Sequence, residues 1–121
     1  LTDARQFRRS DRLSGQILRD ISSLMDTDYR DRAPAMITIT HVRLSKDLHY
    51  ATVYYSVLGS EETRRSATEF LERECKRIRR LVGSNLHIRR VPELTFKFDP
   101  SIEEGIKIER LLNEIKNDTE Q

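Results

Sequence analysis

MITITHVRLSKDLHYATVYYSVL, residues 36 to 58, holds two β-branched runs separated by a short polar stretch. Ile37 and Ile39 share one alternation phase, and Val42 and Leu44 share the other. A one-residue slip inside an otherwise regular strand predicts a β-bulge. The second run alternates without a slip, Ala51, Val53, Tyr55 and Val57 against Tyr50, Thr52, Tyr54 and Ser56. Ser45-Lys46-Asp47 between the runs reads as a tight connection, so the stretch predicts an antiparallel hairpin. Tyr50 and Tyr54 fall on one face; packing beneath a helix is expected of them, the alternative being stacking on nucleic-acid bases.

Outward from the hairpin the period changes from two to about 3.6. Leu13, Ile17, Ile21 and Leu24 predict an amphipathic helix from Ser10 to Met25, followed by the polar loop DTDYRDRAP. After the hairpin, Ser60 reads as an N-cap with Glu61 and Glu62 in the first turn. Ala67, Phe70, Leu71, Ile78, Leu81 and Val82 then trace an apolar stripe. Midway along that stripe stands Glu74, and a carboxylate facing a core is costly unless paired. A break near Glu74 to Arg77 is therefore expected, giving two shorter helices, with a turn at Gly83 to Asn85. PELTFKFD predicts a third strand with Leu94, Phe96 and Phe98 inward. Asp99-Pro100 fits a helix start, and Ile108, Leu111, Leu112 and Ile115 mark the closing helix. The expected order is α-β-β-α-α-β-α, in one domain over residues 1–116, with 1–9 a basic arm and 117–121 a polar tail.

The 121 residues carry 22 basic and 20 acidic side chains, net +2, and 17 of the basic ones are Arg. That near balance hides a local excess. Lys76, Arg77, Arg79, Arg80, Arg89 and Arg90 follow one another with no acid among them. On a helical wheel the first four lie opposite Ile78, Leu81 and Val82. Such a cluster suits phosphate oxygens, and Arg suits them best because its fork binds two at once. A solvated helix face would also look like this. Three features favour phosphate: the absence of acids, the dominance of Arg, and a closing segment, Asp99 to Gln121, with seven acids to three bases. Arg5, Arg8, Arg9 and Arg12 either extend the patch or form a solvated tail.

Other chemistry finds little support. His41, His49 and His87 show no metal-ligand spacing with one another or with Cys75. Cys75 reads as a half-buried helix residue rather than a nucleophile, and one cysteine forms no disulfide within the chain. No Gly-rich phosphate loop or nucleophile-elbow motif is present, and Glu103-Glu104 reads as first-turn capping charge. No apolar run approaches the ~20 residues of a membrane span, and the acid-bearing first thirty residues do not resemble a transit peptide or secretory signal.

Four segments in order carry a family resemblance. They are Thr38 to Leu48 (TITHVRLSKDL), Ala51 to Gly59 (ATVYYSVLG), Ile78 to Gly83 (IRRLVG) with Leu86 to Arg89 (LHIR), and Val91 to Phe96 (VPELTF) with Asp99, Ser101, Ile102, Gly105, Ile108 and Glu109. Over Arg5 to Glu114 the chain resembles the ribosome-binding factor A family, bacterial small-subunit assembly factors. The resemblance implies an α+β, type II KH-like fold, a three-stranded sheet with helices on one face and an added C-terminal helix. It implies binding to the free 30S small subunit and 16S rRNA, and help in late maturation of the 16S 5′ end. It further implies a cytoplasmic monomer that is not an enzyme and needs no cofactor, membrane or small-molecule substrate. The family places an alanine, any residue and a glycine at a helix kink; here Glu74-Cys75-Lys76 stands there. Asp28-Tyr29-Arg30 likewise replaces an Asp-Pro-Arg stretch, and DRAPAM replaces a shorter glycine-containing turn. These departures keep a second reading open, a KH-like protein–protein adaptor whose basic face meets an acidic partner.

Overall fold

The hairpin forms with the bulge its phase slip demands. In the computed structural model, which describes residues 2–86 and 90–119 (side chains of 2–7, 102–103, 105–106 and 117–119 excepted), the slip falls between Ile39 and His41. The strands are β1 (Ile37–Leu44) and β2 (Tyr50–Val57), antiparallel, with Ile39 opposite Tyr55 and His41 opposite Tyr54. The extra residue, Thr40, is put to use: its hydroxyl donates to Asp99 Oδ2 at 2.6 Å. Between the strands, Ser45 N–H donates to the Tyr50 carbonyl at 2.9 Å, and Asp47 accepts from the Ser45 hydroxyl and His49 N–H. β3 (Glu93–Phe98) adds to β2 in parallel, giving the order β1-β2-β3. A parallel neighbour requires a crossover, and α2 (Glu61–Asn85) supplies it.

Two helices cover one sheet face. α1 (Thr2–Asp26) buries Ile17, Ile21, Leu24 and Met25, and α2 buries Ala67, Phe70, Leu71, Ile78 and Val82. They meet Ile37, Ile39, Val42, Val53, Tyr55, Val57 and Leu94 from the sheet in one core. α1 starts at Thr2 rather than Ser10. The apolar stripe marks only the packed part of the helix; ahead of it Ala, Gln and Arg are good helix formers in their own right.

The expected division of the second helix is corrected. α2 is one helix of 25 residues, about 37 Å long, and Glu74, Cys75 and Lys76 lie within it. The order is therefore α-β-β-α-β-α. Glu74 has the pairing its position requires without a break: it is only half-buried, and the buried Tyr29 hydroxyl donates to its Oε2 at 3.5 Å. Gly83 to Asn85 is likewise the last turn of α2 rather than a loop. Ser60 caps the other end, accepting from Thr63 N–H.

The remaining face of the sheet corrects a second expectation. Tyr50 is 58% exposed rather than packed beneath a helix. α1 and α2 both lie on the opposite face, and α3 (Ser101–Thr119) leaves its own Ile108, Leu111, Leu112 and Ile115 57–60% exposed. Among the described residues no helix is long and apolar enough to cross a membrane.

The corner between β3 and α3 is held by one carboxylate. Asp99 Oδ1 accepts from Ser101 N–H at 2.9 Å while Oδ2 accepts from Thr40. These bonds, Thr40 first, hold the Asp99 carboxyl below its usual range. A group depressed in the folded state contributes stability above its unfolded value, about pH 4, and loses it as pH falls through the folded value. Asp99→Asn is expected to flatten that acid limb of the stability curve, as measured by urea unfolding between about pH 2 and pH 6.

Candidate nucleic-acid interface

The basic stretch becomes two sites once folded. Lys76, Arg79, Arg80 and Gly83 of α2 face Arg90 and Val91 across a hollow of about 450 Å³, and among the described residues no acid lines it. Lys76, Arg79, Arg80 and Arg90 are all exposed there. The hollow exists because the chain leading into β3 is tied down along α2. Arg79 Nε donates to the Pro92 carbonyl at 3.1 Å and Nη2 to the Val91 carbonyl at 2.8 Å. Cys75 Sγ donates to the Leu94 carbonyl at 3.3 Å. Gly83 allows the approach: a Cβ there would stand 2.6 Å from Val91 Cγ2. Arg79 thus spends two of its five N–H donors on the backbone, which leaves it a wall of the hollow more than a free cation.

Arg77 is the residue the hollow does not include. Its guanidinium lies 5.2 Å from the Tyr29 ring centroid and 3.8 Å from Asp28 Oδ2, on the side of α2 that meets the loop after α1. There it joins Tyr29 and Glu74 in tying that loop to the helix. Burial raises the Tyr29 phenol above its ordinary range, so the ring stays neutral beneath the cation. Cys75 is half-buried as expected, and burial raises its thiol, which disfavours a nucleophilic role.

Arg8, Arg9 and Arg12 are exposed along α1 and do not line the hollow. The Arg5 side chain and Arg89 lie outside what the structure describes, as does His87. Arg90 Nη1 stands 3.4 Å from His49 Nε2 in the β1–β2 connection. Among the described residues no three His, Cys, Asp or Glu side chains group as metal ligands. The sequence reading missed Gly83 and Val91 as walls of the hollow. An isolated glycine inside a helical stripe was the available signal, since it often marks a close approach.

Two helices over one face of a β1-β2-β3 sheet, with parallel β2 and β3, define an α+β protein of the KH-like kind. The residues between 9 and 112 match the family model for ribosome-binding factor A. A ribosome-binding factor A from Acetivibrio thermocellus is 42% identical over 107 residues, 88% of this chain and 87% of that one. The crystal structure of ribosome-binding factor A from Thermus thermophilus superposes with a TM-score of 0.64 at 27% identity, covering 74% of this chain and 93% of that one. A homology model of the Thermus thermophilus factor, fitted into the cryo-EM map of a 30S–RbfA complex, matches with a TM-score of 0.60 at 26% identity, covering 72% and 91%. The chain belongs to the ribosome-binding factor A family.

Proposed function

We propose that this chain binds the free 30S small ribosomal subunit through 16S rRNA and assists late maturation of the 16S 5′ end. It acts as a cytoplasmic monomer by binding rather than by catalysis. Residues 1–116 serve as one RNA-binding domain, and Lys76, Arg80 and Arg90 are its principal phosphate contacts. The observation that carries this reading is the acid-free basic hollow built by α2 and Arg90, in a chain whose family includes a member fitted into a 30S complex. Arg79 shapes the hollow and offers its remaining donors. Arg5, Arg8, Arg9, Arg12 and Arg89 extend the contact if the subunit reaches them.

Purified protein mixed with small subunits and centrifuged through sucrose is expected to co-sediment. Crosslinking should place it on 16S rRNA near the 5′ end, and cells lacking it should accumulate 5′-extended 16S precursor. Pull-down of small-subunit components should fail after RNase treatment. Survival of the pull-down would instead favour an adaptor that meets an acidic protein.

A further inference from the structure

The sheet face without helices has a chemistry of its own. The register sets His41, Tyr54 and Lys97 in one row across the three strands, and Arg43, Thr52 and Thr95 in the next. His41 and Tyr54 lie with ring centroids 5.9 Å apart and planes 33° from parallel, an offset pair already assembled in the free protein. Tyr50 stands on the same face, two side-chain steps along β2. An open hollow of about 310 Å³ runs past Tyr50, Thr52 and Tyr54, with Arg43, Lys46 and Lys97 around it and no acid in its lining. Of the neighbouring acids, Asp47 turns into the β1–β2 connection to accept from Ser45 and His49, and Glu93 stands across from Tyr50 at the edge.

We propose that this face is a second nucleic-acid site, which takes an unpaired stretch of RNA. Tyr50 and Tyr54 stack on its bases, and Arg43, Lys46 and Lys97 hold its phosphates. An exposed Tyr50 and a half-buried Tyr54 between cations suit a single strand, because every base has a π-face and stacking works without reading sequence. A duplex hides those faces inside its own stack. Four residues of strand separate the two rings by ~13 Å, several times the ~3.4 Å between stacked bases. Bases on the two tyrosines therefore belong to an extended strand, not to a helical run. The threonines and cations between the rings leave little continuous apolar surface for a protein partner. The inference extends the RNA reading to a face apart from the α2 hollow, and either can fail without the other.

The chain suits a direct test, because it has no Trp and four Tyr. Tyr29 and Tyr55 are fully buried, so binding on the sheet reports through Tyr50 and Tyr54 alone. Titrating the full chain with a short, unstructured RNA oligonucleotide should quench tyrosine emission, and the same backbone with abasic sites should not. Tyr50→Ala with Tyr54→Ala should weaken oligonucleotide binding by at least roughly thirtyfold, each lost stack accounting for about five- to 150-fold, read by anisotropy of a labelled strand. Tyr50→Phe with Tyr54→Phe should keep the affinity, because the rings remain. Quenching should persist in a chain carrying Lys76→Glu and Arg80→Glu. Equal binding of the abasic strand, unaltered affinity in the alanine variant, or loss of quenching on reversing the α2 charges would each overturn the proposal. If small subunits still co-sediment in any of those cases, the proposed function stands and only the sheet site is lost.

Discussion

Lys76→Glu combined with Arg80→Glu is expected to weaken binding to small subunits by about a hundredfold and to leave the melting temperature nearly unchanged. Both side chains are exposed on the hollow, and neither is bonded to another of the described residues. Placing a carboxylate where a cation met phosphate exchanges attraction for repulsion. At ~4 Å two unit charges interact by ~1 kcal/mol in water and by more near a protein surface. Two reversals therefore amount to about 3 kcal/mol, or a hundredfold. The salt dependence should shift with the affinity, each lost contact to single-stranded RNA reducing the slope of log affinity against log salt by about 0.7. Arg79→Glu belongs to a different class. It removes two charge-assisted bonds to the Val91 and Pro92 carbonyls and sets a carboxylate against them. Bonds of that kind are worth ~1.5–3 kcal/mol when buried, and partial exposure here reduces this to about 1–2 kcal/mol. A variant reversed at Lys76 and Arg80 that co-sediments like the wild type would show that the hollow is not the contact. Arg79→Glu with unaltered urea stability would show that the clamp carries no weight.

That contrast marks the boundary of what the chain's order of residues reveals. The hairpin, its bulge and the inward face of β3 follow from alternation, which is local and therefore legible. The length of the basic run is legible too, but its division is not. Lys76 and Arg77 are neighbours in sequence and turn ~100° apart on a helix, so which one meets solvent depends on what packs beside α2. Arg77 is drawn to Tyr29 and Asp28, both contributed by a loop read only as polar. Arg79 is drawn to carbonyls that exist as acceptors only once β3 is in place. Glu74 shows the same limit from the other side. Its position on the apolar stripe correctly signals a cost, but the relief comes from Tyr29, 45 residues away, and no pattern within α2 announces it. The open sheet face followed from the family resemblance and not from the strands themselves, because a strand's alternation does not say whether its second face is covered.

Tyr29→Ala is expected to be the most destabilising single change among the residues named here, costing about 4 kcal/mol. The ring is fully buried, stands edge-on to Phe70 with centroids 5.3 Å apart, and lies beneath the Arg77 guanidinium. Deleting a buried aromatic side chain costs ~3–5 kcal/mol through lost transfer energy and the cavity left behind. Three neighbours compound the loss. Phe70 loses its edge contact, Arg77 loses its ring and keeps only the carboxylates of Asp28 and Glu74 near it, and Glu74 loses its hydroxyl donor on the core side of an unbroken helix. For a domain of this size each kcal/mol lowers the melting temperature by about 4 °C, so a fall of about 15 °C is expected by calorimetry or circular dichroism. Tyr29→Phe keeps the ring and removes the hydroxyl's bond to Glu74 at 3.5 Å, the long limit of such contacts, together with its polar contact to Arg77. It should cost under about 1 kcal/mol. The pair of variants separates two explanations for the continuity of α2. If the ring fills the space beside Glu74 and carries the cation, alanine is severe and phenylalanine mild. If the hydroxyl is what reconciles Glu74 with the core, both variants lose stability alike, and adding Glu74→Gln to Tyr29→Phe should then restore much of it. The geometry favours the ring: the hydroxyl bond is long and Glu74 is only half-buried, whereas the ring touches Phe70 and Arg77 and has no exposed surface left.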